Sequence, residues 1–290
     1  MIFVTFVFVC FVVSLSAQTF RARIDTVQVA VTVSDANGRL ITGLARDDFE
    51  IFEDGVLQPI TVFTNGRVPV SLGVLLDASD SMRGQPMADA RAAVDRFLTA
   101  LLERGDEAFV AAFNHQPRLV APWTRPPSAL EGELGRVLPS GGTALYDSLV
   151  ASAGYFGRRL HPRAALVVVS DGVDTASDWT LRQAREVLQR ADPLVYAIAI
   201  DSADAPVTRR VNVEALKEIT ATSGGYTEVV KGSADLGPAT ERIADELNKQ
   251  YTLGYVPIKA PDDQWRGIRV RVKSGAYFIR ARRGYYAVRP

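Results

Sequence analysis

Three short stretches of this chain carry side chains suited to holding a hard cation. Asp77, Ser79 and Ser81 follow the apolar run Val74–Leu76, so one carboxylate and two hydroxyls leave a strand at positions i, i+2 and i+4. Asp171 ends a second apolar run, Ala165–Val169, after Ser170 and before Gly172. Between them, Thr143 follows Gly141 and Gly142, which lack side chains and let a loop approach closely. An oxygen-only set rich in hydroxyls suits magnesium, which prefers octahedral oxygen ligation and keeps several waters. Ser79 and Ser81 are the natural direct ligands, Thr143 a third, and Asp77 and Asp171 supply charge directly or through water while orienting the rest. With few charges touching the ion it stays electrophilic, and an open position can accept a partner's carboxylate. The plain alternative is a pair of helix caps, since Ser and Asp after a strand commonly serve that purpose. An isolated Asp-x-Ser-x-Ser is a weak signal, and what strengthens it is placement at two strand ends with the Gly-Gly-Thr loop between.

The elements that must position these residues alternate over 67–249. Strands are expected at Ser71–Leu76, Glu107–Phe113, Arg118–Trp123, Ala164–Ser170, Leu194–Ile200 and Tyr226–Val229, and helices at Met87–Glu103, Ala129–Leu138, Ala144–Leu160, Leu181–Ala191, 213–222 and 234–249. Continuous apolar runs such as Leu166–Val169 indicate an α/β fold, a doubly wound and mostly parallel sheet covered on both faces. Its ligand site lies beyond the carboxyl ends of the strands, where Asp77 and Asp171 fall.

Both flanks read as β structure. Over 18–66, Val27, Val29, Val31 and Val33 share one face, and Phe49, Ile51, Ile60 and Val62 continue the pattern around the turn at Asp54-Gly55. Over 250–290, a strand is expected at Tyr251–Pro257, Ile268, Val270 and Val272 alternate with Arg269, Arg271 and Lys273, and Tyr277–Tyr286 continues the pattern. Neither flank can bury a core alone; together they approach the roughly 100 residues of a sandwich. The expectation is a β-sandwich built from both ends with the 67–249 domain inserted, against an alternative of two separate β extensions.

Residues 1–17 differ in texture. Ile2–Val13 is almost wholly apolar and Ser14–Ala17 offers a small-residue exit, the pattern of an export signal cut after Ala17, although no Lys or Arg precedes the run. The run is short of the about 20 residues a membrane span requires, and the expectation is a periplasmic, cell-surface or secreted chain with no span once cleaved. The one cysteine, Cys10, lies inside it, so a cleaved chain has neither disulfide nor thiolate ligand. Two histidines, His115 and His161, supply zinc chemistry and a His-based triad poorly. Lys plus Arg and Asp plus Glu number 33 each, so net charge gives no reason to expect nucleic acid.

The trio Asp77-x-Ser79-x-Ser81, then Thr143, then Asp171-Gly172, resembles the metal-ion-dependent adhesion site of von Willebrand factor type A domains, in order and spacing, over about 67–249. The flanking Asp48–Gly55, Tyr251–Pro257 and Arg282–Tyr286 resemble the related proteins abundant in Acidobacteria. The resemblance implies a Rossmann-like fold, Mg2+ or Mn2+, and binding of a protein that presents a carboxylate; Ca2+ stays open. By the family's pattern Ser79, Ser81 and Thr143 coordinate, while Asp77 and Asp171 often act through water. Asp174 and Trp179 are weaker candidates for the partner-contact rim, and Asp80, Asp147 and Asp178 read as caps or solvated carboxylates. The basic alternation Arg269, Arg271, Lys273, then Arg280, Arg282 and Arg283, is open to binding an anionic surface but reads first as a solvated strand face. Two other functions compete with binding. A metal-assisted hydrolase would need a general base that the sequence does not evidently supply, and a structural protein would use the ion only to rigidify loops.

Overall fold

The computed structural model describes residues 26–171, 173–201 and 212–289. The segment read as an export signal, residues 1–17, and Gly172 of the sequence motif lie outside them. The first flank forms β1 (Val27–Ser34), β2 (Phe49–Glu53), β3 (Val56–Gln58) and β4 (Val62–Thr64). Then follow β5 (Ser71–Asp77), β6 (Glu107–Phe113), β7 (Pro117–Thr124), β8 (Ala164–Ser170), β9 (Leu194–Ile200) and β10 (Thr227–Val230). They build one six-stranded sheet in the order β10-β9-β8-β5-β6-β7. Every pairing is parallel except that of β6 with β7. β5, β6, β8 and β9 are buried at every residue, as apolar strands of a parallel sheet covered on both faces must be.

Among the described residues, five helices supply those covers: α1 (Gln85–Arg96), α2 (Leu145–Tyr155), α3 (Leu181–Ala191), α4 (Val213–Ser223) and α5 (Leu236–Lys249). Met87, Ala90 and Val94 of α1 join Leu236, Ile243 and Leu247 of α5 in one core, against Val74, Val110 and Val167. Leu145 and Leu149 of α2, Ala184 and Leu188 of α3, and Leu216 and Ile219 of α4 fill the other, against Leu75, Phe109 and Val168. The chain runs from β5 outward to β6 and β7 on one side and to β8, β9 and β10 on the other. The crevice at the carboxyl ends of β5 and β8 is therefore the switch point of the sheet, where open α/β folds place ligands.

The second flank forms β11 (Tyr251–Tyr255), β12 (Trp265–Val272), β13 (Phe278–Ala281) and β14 (Gly284–Tyr286). Two antiparallel sheets result, β13-β1-β11-β4 and β14-β12-β2-β3, each combining strands from both ends of the chain. Val29, Val31, Phe49, Ile51, Leu253, Tyr255 and Ile268 fill the space between them. Buried in this sandwich, Arg266 pairs with Glu53 at 3.2 Å, and the Tyr255 and Tyr285 hydroxyls donate to Glu53 at 2.7 and 2.9 Å.

Two elements differ from expectation, and a third is divided. Ala129–Leu138 is no helix: two 3-10 turns, Pro127–Leu130 and Glu133–Arg136, are separated by Gly132 at φ 77°, a conformation that interrupts a helix. The helix expected from Met87 to Glu103 starts two residues earlier, at Gln85, and gives way after Arg96 to a wider π turn, Phe97–Leu101. The β pattern expected to continue over Tyr277–Tyr286 does so as two strands, β13 and β14, which belong to different sheets.

A buried polar network joins the sandwich to the amino-terminal end of the six-stranded sheet. Glu246 of α5 accepts from Thr32 at 3.0 Å and from the Tyr196 hydroxyl at 3.1 Å, and pairs with Arg280. The Gln250 side-chain amide donates to Thr32 and Tyr196, and its carbonyl oxygen accepts from Arg163 at 2.6 Å. The site at the switch point therefore lies at the opposite end of the sheet from the sandwich.

Candidate metal centre

Asp77 is the last residue of β5 and fully buried. Its Oδ1 accepts from the backbone N–H of Ser79 at 2.8 Å, which turns the chain sharply as it leaves the strand. Its Oδ2 accepts from the hydroxyl of Ser170, the last residue of β8, at 2.6 Å. The same carboxylate thus ties the ends of the two strands at the switch point. Beyond Ser79 a 3-10 turn, Asp80–Met82, is pinned by the buried side chain of Met82. This turn carries Ser81 back toward Ser79, hydroxyl oxygens 3.0 Å apart. Ser81 is exposed, and its hydroxyl donates to Oδ1 of Asp171 at 2.8 Å. Ser79, Ser81 and Asp171 form one continuous chain of oxygens across the crevice, with Asp77 beneath it.

The third loop closes on the other two through its backbone. The carbonyl of Gly141 accepts from the Asp80 N–H at 3.0 Å, and the Ala144 N–H donates to the carbonyl of Asn114 at 2.6 Å. Thr143, nearly buried, donates its N–H to the Thr175 hydroxyl at 3.0 Å, and its carbonyl accepts from the N–H groups of Thr175 and Ala176. Gly142 packs closely here: a Cβ on it would lie 3.0 Å from the Thr175 hydroxyl, which would have to give way. Gly141, at φ +74°, has no room for one either, with His115 Nδ1 3.0 Å from that position. His115 therefore sits against the Gly-Gly-Thr loop, where its place in the β6–β7 turn gave no hint of it.

The rim candidates occupy less central positions. Oδ1 of Asp174 accepts from the Tyr146 N–H at 3.3 Å and the Ser177 hydroxyl at 2.6 Å, an engagement with the first turn of α2. Trp179 is 42% exposed, and its N–H donates to Asp147 at 2.9 Å. Asp147 thus fixes the backbone that presents the indole. Sequence reasoning missed Ser170 and Thr175 as supports. Ser170 stands out as a polar end to an apolar strand, whereas nothing in the sequence marks Thr175.

The electrostatics favour a cation. Burial pushes the Asp77 carboxyl up to about 6, against its hydrogen bonds from Ser170 and Ser79 and with the Asp171 charge adding to the rise. Burial also raises Asp171, opposed by the Ser81 hydroxyl. Neither carboxylate forms an ion pair among the described residues. Nor do three His, Cys, Asp or Glu side chains gather as a cluster among those residues. The donor set consists of hydroxyls backed by two carboxylates, which fits a hard divalent ion that keeps its own waters.

Comparison with known proteins bears on the fold that carries these residues. Residues 72–173 match the sequence model of the von Willebrand factor type A domain. No curated protein matches the chain in sequence. A von Willebrand factor type A protein from Catenulispora acidiphila superposes with a TM-score of 0.56 at 15% identity, covering 93% of this chain and 75% of that one. An aerotolerance-related membrane protein from Bacteroides fragilis superposes with a TM-score of 0.53 at 19% identity, over 62% of this chain and 99% of that one. The von Willebrand factor domain of the type V pili tip protein Mfa5 from Porphyromonas gingivalis gives 0.52 at 14% identity, over 63% and 96%. From the sheet order, the sequence match and these superpositions, the chain carries a von Willebrand factor type A domain.

Proposed function

We propose that this protein is an exported binding module that grips an acidic residue of a protein partner through a divalent metal ion. The observation that carries the reading is the oxygen chain Ser79–Ser81–Asp171 above the buried Asp77, at the switch point of the sheet. Ser79, Ser81 and Thr143 would hold the ion through their hydroxyls, and Asp77 and Asp171 would orient its waters. When bound, the ion supplies an electrophilic position for a partner's carboxylate. The tip location of the similar pilus domain supports an adhesive role at a cell surface. Among the described residues no helix is long and apolar enough to cross a membrane.

The test is a calorimetric titration of the chain from Gln18 with MgCl2, repeated on Ser79→Ala/Ser81→Ala. The expected result is one saturable site in the wild type, lost in the variant. Partner capture from cell-surface extracts is then expected with Mg2+ and not with EDTA. Partner capture that persists equally in EDTA would sink the metal-dependent reading. If the metal instead raised the melting temperature while leaving every interaction unchanged, the ion would be structural.

A further inference from the structure

The basic residues of the second flank do not form one solvated face. Arg271 pairs with Glu50, whereas Arg269, Arg280, Arg282 and Arg283 line a cleft of about 450 Å³ between the sandwich and α4, joined there by Lys217. The cleft exists because two surfaces meet closely at its edge. The Arg283 N–H donates to the Thr222 carbonyl at 3.1 Å, and Arg282 pairs with Asp192. Gly224, at φ +94°, is obligatory at this contact, since a Cβ there would lie 2.6 Å from the Arg282 nitrogen.

No carboxylate is among the residues that line the cleft. Three of its five cations have partners at the edge or behind: Lys217 with Glu214, Arg280 with Glu246 and Arg282 with Asp192. Arg269 and Arg283, both exposed, form no ion pair among the described residues; Arg269 stands 5.1 Å over the ring of Phe52. Ile268, Val270 and Ile279 add apolar wall. Like charges gathered on one concave surface repel, and a bound anion relieves that repulsion. Guanidinium groups match the oxygens of a phosphate in a two-pronged manner, and two unpaired ones can share a dianion. The volume falls within the roughly 300–1,000 Å³ range of small-molecule sites.

The geometry points to a second binding site: the cleft between α4 and the sandwich takes a small amphipathic phosphate monoester, its phosphate held by Arg269 and Arg283 and its apolar body against Ile268, Val270 and Ile279. The site is independent of the metal centre, which lies at the other end of the sheet.

The experiment is titration of the whole chain from Gln18 with phenyl phosphate by calorimetry, with benzyl alcohol as the uncharged control. Saturable binding of phenyl phosphate alone is expected. Arg269→Gln/Arg283→Gln should weaken it by about tenfold to a hundredfold, because each arginine contributes charged hydrogen bonds, while the Mg2+ titration stays as in the wild type. Amide shifts of Gly224, Gly225 and Arg283 on titrating the unsubstituted protein locate the ligand without relying on a variant. No saturable binding, equal binding by the double variant, or shifts confined to other residues would overturn the proposal.

Discussion

At the end of the six-stranded sheet that meets the sandwich, buried carboxylates are matched within the chain. Glu246 pairs with Arg280 and Asp106 with Arg67, and inside the sandwich Glu53 pairs with Arg266. Glu107 accepts from the Ser71 hydroxyl and the Leu160 N–H. At the opposite end, Asp77 and Asp171 have hydroxyl and N–H donors but no cation among the described residues, and each charge raises the cost of the other. The first end is balanced by residues far apart in sequence and needs nothing from solution. The second holds two negative charges that a bound cation would balance, which is how a site differs physically from a structural joint. Substitutions that remove one carboxylate from each end should therefore act in opposite directions.

The largest effect is expected at the matched end. Glu53→Gln removes the buried counter-charge of Arg266 and leaves it only the part-exposed Asp262, and breaking a buried pair in this way costs about 3–5 kcal/mol. Urea unfolding of the wild type and variant measures it, and a loss below about 1 kcal/mol would mean that Asp262 and the carbonyls of Lys259 and Ala260 suffice for Arg266. Next in size is the response of the other end to metal. Mg2+ at about 100 times its Kd should stabilise the wild type by about 2.7 kcal/mol. Ser79→Ala/Ser81→Ala should not respond, and Glu53→Gln should respond as the wild type does. Thermal melts with and without MgCl2 decide this.

What the sequence made legible divides along the same line. β8, β9 and α3 have the bounds expected of them, because continuous apolar runs and the Thr180–Gln183 capping box are local signals. The strand-end placement of Asp77 and Asp171 is local too, and the switch point follows from strand order. The matched pairs were not legible: Arg266 falls in phase with the apolar Ile268 and Val270, and its buried partner Glu53 lies 213 residues away in sequence. Gly132 defeated the expected helix over Ala129–Leu138 because its positive φ outweighs the apolar spacing of Leu130 and Leu134. The split of Tyr277–Tyr286 between two sheets depends on which neighbours β13 and β14 find, information absent from their own residues.

A third prediction reverses the sign of the first. The Asp77 carboxyl is raised from 3.8 to about 6, so the metal-free native state holds its proton more tightly than the unfolded chain does. The stability this contributes is complete below pH 3.8 and is lost as pH rises through about 6. Asp77→Asn should therefore stabilise the metal-free protein at pH 7, by about 3 kcal/mol, while abolishing Mg2+ binding. The advantage should disappear below the carboxyl's ordinary range. Urea unfolding in EDTA at neutral and acid pH tests it, and a variant less stable than the wild type at pH 7 would mean that the bonds from Ser79 and Ser170 outweigh burial.

The smallest effects sharpen the comparison most, because they remove a single hydroxyl from each end. Thr32 donates to Glu246 and accepts from Gln250, so Thr32→Val leaves two buried partners short and should cost about 1–2 kcal/mol. Thr175 accepts from the Thr143 N–H but is itself exposed, and the Thr175 N–H bond to the Thr143 carbonyl survives substitution. Thr175→Val should therefore cost less than about 1 kcal/mol. Its effect should appear in metal affinity, since the loop bearing Thr143 loses a support that orients a ligand, and such supports are worth about tenfold or more. Calorimetry with MgCl2 on both variants separates the two kinds of end: Thr32→Val should bind as the wild type does, and Thr175→Val about tenfold more weakly. Equal affinity in all three proteins would mean that the backbone bonds of the loop, from Asp80, Ala144, Thr175 and Ala176, hold it without the Thr175 hydroxyl.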